Sequence, residues 1–292
     1  MKWITFEYDS RIQIGALTKD GKEVCTLKAL GIDRDFDSMT DFIARVTDLE
    51  RKTASKNLPA AAAIPFENVR LRAPILRPLH DILCVGVNYL DHQNEVKREM
   101  AVTKPERNAI YFSKRALSLT GSGEKPLLDP TVDDSMDYEV ELAVIIGKEC
   151  KNVSEEEALD YVFGYSIFND FSARSIQRRH IQWFKGKSLD TYSALGPCIA
   201  DKEEIQDPQD LRVMSLVNGE RRQYSHTRVM MSTVAQIIAD LSLGMTLEAG
   251  DIIATGTPSG VAMGMENPVY LKRGDTVECR IEKIGSLINE IG

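Results

Sequence analysis

The 292-residue chain is poor in the features that place a protein quickly. Its five cysteines (Cys25, Cys84, Cys150, Cys198, Cys279) are far apart, odd in number and form no CxxC pair. That argues against a cysteine-based zinc site and against a disulfide framework, and implies a reduced, cytoplasmic chain with cysteines as small core residues. No apolar run reaches the ~20 residues of a membrane span. Glu7 and Asp9 break up the first ten residues, which is unlike a signal peptide. Positive charge is also short: the net charge is −8, and runs such as Arg178-Arg179-His180 and Arg221-Arg222 read as solvated faces. Neither nucleic acid nor membrane is expected as a partner. Gly121-Ser-Gly123 lacks both a GxGxxG continuation and a P-loop lysine, so nucleotide binding is excluded. There is no internal repeat and no low-complexity tail. What remains, 43% hydrophobic and 27% charged, is the make-up of a globular protein with one large domain or two.

One stretch organises the rest: Asp137-Tyr-Glu139-Val-Glu141-Leu-Ala-Val-Ile-Ile-Gly147. Its even positions are apolar and its period is two, which predicts a strand with the even face in a core. Glu139 and Glu141 then leave the other face one pleat apart. Neighbouring carboxylates repel unless a proton or cation intervenes, so the pair is a candidate for a divalent metal. An ordinary wet sheet face has the same pattern.

Around it, Trp3–Tyr8 and Ile12–Leu17 read as strands. Phe42, Ile43, Val46 and Leu49 recur at helical spacing behind a cap at Asp37 or Ser38. Residues 57–78 hold four prolines and mark a boundary, with a small N-terminal α/β domain at 1–76 and a larger domain at 77–292. Asp81–Val87 reads as a buried strand. The segment after it, if helical, places His92 and Glu95 at i and i+3, within contact. Residues 97–108 suit a flap. Ile110–Lys114 and Phe163–Asn169 are strands, the second ending at Asp170, and a helix from Ser172 carries Arg174 and Gln177 on one side. Asn218-Gly219 predicts a hairpin and Thr233–Leu241 a helix. Asp251–Gly260 reads as a strand entering a tight loop, and Tyr270–Leu271 and Thr276–Glu282 as closing strands.

Taken together, NYxxHxxE (from Asn88), DYExELxxxIG (from Asp137), NDxxARxxQ (from Asn169), KxKS (from Lys185) and ATGTPSGV (from Ala254) resemble the fumarylacetoacetate hydrolase family over residues 78–292. The resemblance implies an α+β, mainly β protein: a mixed β-sandwich roll behind the small N-terminal domain, usually a homodimer. It implies metal ligands Glu139, Glu141 and Asp170, a general-base dyad His92–Glu95 under a lid, and Lys187 as a further catalytic group. Arg174, Gln177 and Thr257 match substrate-gripping positions, with Tyr89 and Lys114 as weaker correspondences. Three carboxylates are hard oxygen donors that suit Mg²⁺ or Mn²⁺ better than zinc.

The expected reaction is cleavage of a C–C bond beside an α-keto acid through a stabilised enolate, either acylpyruvate hydrolysis or oxaloacetate decarboxylation. Alternatives are an isomerase or decarboxylase of ring-cleavage dienedioates, a diketo sugar-acid hydrolase, a Schiff-base lyase using Lys185 or Lys187, and a non-catalytic keto-acid-binding scaffold. Specificity is expected in the flap (93–108), in Phe171 and near Gln182–Phe184. His80, His180, His226, Trp3 and Trp183 are expected to be structural.

Overall fold

The computed structural model describes residues 1–96 and 109–292, so the flap expected at 97–108 lies outside the described residues. Strands β1 (Lys2–Tyr8), β2 (Arg11–Leu17) and β3 (Glu23–Thr26) form a meander. The helical periodicity from residue 38 then gives two helices instead of one. Ser38 caps α1 (Met39–Arg45), and the chain turns extended at Val46. Thr47 and Glu50 close a capping box that starts α2 (Asp48–Asn57). Leu49 therefore sits in a first turn and is 75% exposed, not on the apolar face. The proline-rich connection contributes two short strands, β4 (Ile64–Pro65) and β5 (Arg70–Leu71), which pair with β3 and β1.

There follow β6 (Ile82–Gly86), α3 (Leu90–Val96), β7 (Ile110–Lys114), β8 (Met136–Asp137) and β9 (Val140–Ile146). Next come α4 (Glu155–Ala158), β10 (Val162–Asp170), β11 (Ser172–Ala173), α5 (Arg174–Arg179), α6 (Phe184–Lys187) and β12 (Ser193–Asp201). The hairpin at Asn218-Gly219 joins β13 (Arg212–Val217) to β14 (Glu220–His226), and Thr233 caps α7 (Val234–Ser242). The chain ends with β15 (Ile252–Ala254), β16 (Thr276–Ile281) and β17 (Gly285–Glu290). Tyr270–Leu271 is not a strand: beyond Pro268, the Leu271 N–H makes a single bond to Met136 O at 2.9 Å. β17 has no clean alternation, because Ser286, Asn289 and Glu290 interrupt it, yet it pairs fully along β16.

One sheet runs β4-β3-β2-β1-β12-β10-β9-β15-β6-β7, with β5 also on β1; a second, four-stranded sheet is ordered β14-β13-β16-β17. Among the described residues, β15 and β6 are the one parallel pair in the long sheet, which makes it mixed. The sheet crosses residue 76 without a break, since Lys2 and Trp3 register with Ala200 and Ile199.

β9 lies near the middle and is buried along its whole length. Val140, Leu142, Val144 and Ile146 enter a core shared with Val213, Val277 and Ile237 from the second sheet and α7. Ala143 and Ile145 face a second core that includes Trp3, Phe42, Phe163 and Phe168. Burial on both faces replaces the wet outer face that the alternation allowed, and it means that any carboxylate on this strand must be compensated internally.

Candidate active site

The antiparallel register of β9 and β10 builds the acidic centre. Phe168 lies opposite Glu141 and Asn169 opposite Val140. One step further, Asp170 faces Glu139, and the Asp170 N–H donates to Glu139 O at 3.0 Å. Directly opposed residues in an antiparallel pair share a face, and so do residues two apart on one strand. Glu139, Glu141 and Asp170 consequently converge, with one oxygen from each lying within 4.8 Å of the others. All three are at least 95% buried.

Cations come from separate elements. Lys187, on α6, donates to Glu139 Oε2 at 2.7 Å and to Asp170 Oδ2 at 2.8 Å. Lys114, ending β7, pairs with the other oxygen of Asp170 and donates to Phe171 O and Tyr192 O at 2.8 and 2.7 Å. Arg174 donates to Asp137 Oδ2 and Gln177 Oε1, both at 2.9 Å, and pairs with Glu139 Oε1. Burial alone would raise the Glu139 carboxyl, but Lys187 and then Arg174 hold it well below its ordinary range.

Glu141 goes the other way: burial, then the charges of Asp170 and Glu139, push it up. It accepts the Gly256 N–H at 2.8 Å and forms no ion pair among the described residues. Four buried carboxylates thus meet three cations, leaving Glu141 in want of a proton or another positive charge. Hard oxygens, close convergence and a missing positive charge fit a small divalent cation.

At the rim, α3 carries the dyad. His92 Nδ1 is 3.0 Å from Glu95 Oε2, while Glu95 Oε1 accepts the Gly260 N–H at 2.9 Å. A carboxylate at Nδ1 makes that nitrogen the N–H, which leaves Nε2 as the basic atom. His92 is 3% exposed and, with Glu139, Glu141, Arg174, Gln177, Lys187 and Thr257, lines one small pocket. Arrangement and order together match one known family: residues 81–292 match the fumarylacetoacetate (FAA) hydrolase C-terminal domain.

The chain belongs to the fumarylacetoacetate hydrolase family.

It is 47% identical over 227 residues to the Bacillus subtilis (strain 168) oxaloacetate tautomerase YisK, covering 78% of this chain and 74% of that one. Among solved structures, a fumarylacetoacetate hydrolase from psychrophilic Exiguobacterium antarcticum superposes with a TM-score of 0.83 at 38% identity, covering 100% of this chain and 99% of that one. A maleylpyruvate hydrolase from Sphingobium sp. SYK-6, in complex with manganese (II) ion and pyruvate, superposes at 0.78 with 29% identity, covering 100% and 98%. The chain is therefore an enzyme with the mainly β, α+β fold of this family.

Other residues of the family motifs have structural duties. The Thr257 hydroxyl donates to Val140 O at 2.9 Å and accepts from Gln223 Nε2 at 2.7 Å, so its side chain ties the loop after β15 to β9 and β14. All three guanidinium nitrogens of Arg174 are engaged within the protein. Tyr89 is fully buried, does not line the pocket, and its hydroxyl has no partner among the described residues. Phe171 is also buried away from the pocket, in the main core against Tyr192. Trp183 does line it. His80 bonds Asp251 and His226 caps a short turn.

Three residues carry duties that the sequence did not reveal. Asp137 accepts Arg174 Nε and the Ala262 and Met263 N–H groups, anchoring the loop below the dyad. It opens the acidic motif, and that position was its only signal. Gln223 reaches the site from the second sheet, with no local pattern to announce it. Val87, on the pocket wall, has φ +54°, a region that a β-branched residue rarely enters. Asn88 holds it there by bonding Thr255 O, Ser232 O and the Ser232 N–H.

Proposed function

We propose that this enzyme, loaded with Mg²⁺ or Mn²⁺, interconverts the enol and keto forms of a small β-keto diacid of the oxaloacetate class. The observation that carries the reading is the buried triad Glu139–Glu141–Asp170, one positive charge short, facing the His92–Glu95 dyad across one pocket. The 47% identical tautomerase supports the choice of reaction. A divalent cation on the triad would supply Lewis-acid stabilisation of negative charge on the substrate's oxo and carboxylate oxygens.

The protein's own groups do the rest. Lys187, charged because Asp170 and Glu139 outweigh its burial, stands at the pocket wall to receive substrate oxygen. His92 Nε2 takes a proton from the carbon next to the oxo group; the C–H pair becomes the enolate, and the proton is returned to oxygen. The reverse sequence makes the ketone. Glu95 stabilises the imidazolium in between and is itself held by Gly260. The buried walls keep water from quenching the enolate.

A second reading keeps the site and changes the bond broken. If the C–C bond to the distal carboxylate breaks, carbon dioxide leaves and the enolate of pyruvate remains to be protonated; if the distal group is a ketone, water activated by His92 attacks it, and the C–C bond then breaks to give a carboxylic acid and that same pyruvate enolate. The neighbour holding manganese and pyruvate favours this reading.

The test is to follow enol-oxaloacetate by its ultraviolet absorbance while measuring pyruvate in the same reaction. Tautomerisation predicts rapid loss of enol without matching pyruvate, abolished by chelator and restored by Mn²⁺. Pyruvate rising in step with enol loss would establish cleavage instead. Full activity after chelation would overturn both.

A further inference from the structure

The pocket has a wall that no motif describes. Trp183 precedes α6, and its carbonyl accepts the Lys187 N–H at 3.1 Å, so indole and ammonium leave the same face of one helical turn. The indole beds on Gly86 at the end of β6. A Cβ there would lie 2.5 Å from Cζ3 of Trp183, so the close approach requires glycine. Phe112, from β7, meets the indole edge-on with centroids 5.3 Å apart. The same Phe112 ring lies 5.5 Å from Lys187 Nζ, which itself touches Glu139 and Asp170. Val87, held in its unusual conformation, packs with Trp183 and Ile110 beside Val261 and Met263.

The pocket lining thus combines charged groups, Glu139, Glu141, Arg174 and Lys187, with two aromatic rings beside them, Trp183 and Phe112. The two rings border the space next to the triad and Lys187, the groups suited to hold an α-keto acid end.

On the reading given under Proposed function, we infer that Trp183, seated on Gly86 and braced by Phe112, is the specificity-determining wall that restricts the enzyme to compact keto acids of the oxaloacetate size and rejects those extended by an acyl or alkenyl arm. The triad, Lys187 and the dyad set the chemistry, and the indole sets the length. The wall works by exclusion, so truncating it should admit longer substrates and leave the charged groups intact. One methylene more or less in such a pocket is worth roughly tenfold or more in selectivity.

The experiment compares the native chain with Trp183→Ala and Trp183→Phe, each loaded with Mn²⁺. Selectivity is read as the ratio of kcat/KM for a six- or seven-carbon acylpyruvate to that for oxaloacetate. Binding is read separately by calorimetric titration with oxalate and with 2-oxoadipate, which requires no turnover. Trp183→Ala should raise the long-to-short ratio at least tenfold and tighten 2-oxoadipate relative to oxalate, with oxalate affinity kept within about twofold. Trp183→Phe should fall between. Unchanged ratios in both assays, with oxalate still bound, would overturn the assignment. If no chain turns over any keto acid, the proposed function fails, while the binding ratio still decides whether the indole limits length.

Discussion

Glu141 is the residue on which the electrostatics of the site turn. Glu139 and Asp170 each hold ion pairs, and Glu141 has a backbone N–H in place of a cation. Glu141→Gln keeps the volume and removes the like-charge repulsion. Without metal the variant should therefore be more stable than the native chain, by about 1–3 kcal/mol. With excess Mn²⁺ the order should reverse, because only the native chain gains binding free energy, about 4.1 kcal/mol at a thousandfold excess over Kd. Thermal denaturation with and without Mn²⁺ reads both signs; a variant stabilised by Mn²⁺ as strongly as the native chain would remove Glu141 from the ligand set. In the sequence this residue stood out only in the company of the later motifs, since an acidic pair at alternate strand positions is also the pattern of an ordinary wet sheet face. The sequence did not show Gln223 or Asp137, whose ties to the site, Thr257 for Gln223 and Arg174 and Ala262 for Asp137, lie 34 or more residues away and follow no local pattern.

At the scale of elements, α3 depends on the turn Ala262–Gly264 beneath it. A Cβ on Gly264 would lie 2.1 Å from Glu95 Cγ and Cδ. The obstruction is the end of a flexible side chain, so Gly264→Ala should cost the fold little, under about 1 kcal/mol. It should displace Glu95 from both His92 and Gly260, lowering kcat about 10²-fold with a smaller change in KM. Steady-state kinetics beside a melting curve separate the two effects; equal losses in stability and rate would mean that the helix itself is lost.

The start of α2 is a second such case. Arg34, then the Thr47 N–H, hold the Glu50 carboxyl at about 2, below its ordinary value of 4.5. A lowered carboxyl contributes stability that is complete above the unfolded value and is lost as pH falls from 4.5 toward 2. Glu50→Gln should therefore destabilise near neutral pH by ~1 kcal/mol or less, given solvent screening, and the difference should shrink across that acid window. A difference independent of pH would assign the effect to packing. The sequence reading placed a cap only at Asp37 or Ser38, because the apolar period running through Thr47 pointed to one helix.

For the whole molecule, the long sheet and the second core bind the first 76 residues to the rest. Lys2 and Trp3 hydrogen-bond along β12, Trp3 Nε1 donates to Asp201 at 3.1 Å, and Phe42 packs against Phe163 at 6.2 Å. Removing residues 1–76 would bare the β12 edge together with Phe163, Phe168 and Ile199, which are at most 4% exposed. An isolated 77–292 fragment is expected to aggregate or to melt far below the full chain, as chromatography and calorimetry would show. A monomeric fragment with native stability would make the N-terminal segment an independent unit.

Sequence alone determined the acidic strand and many of the local elements, though not the break between α1 and α2 or strand β17, because alternation, caps and Asn-Gly turns act between near neighbours. It also determined the family, because five motifs stand in one order along the chain. Tertiary structure decided that both faces of β9 are buried, that Asp170 comes opposite Glu139, and that Lys114 and Arg174 are spent as internal counter-ions. It also brought Trp183 from another segment to close the pocket. Those outcomes depend on strand register and on which sheets pack together, and the burial they produce sets the local dielectric. No neighbour-to-neighbour pattern encodes that burial.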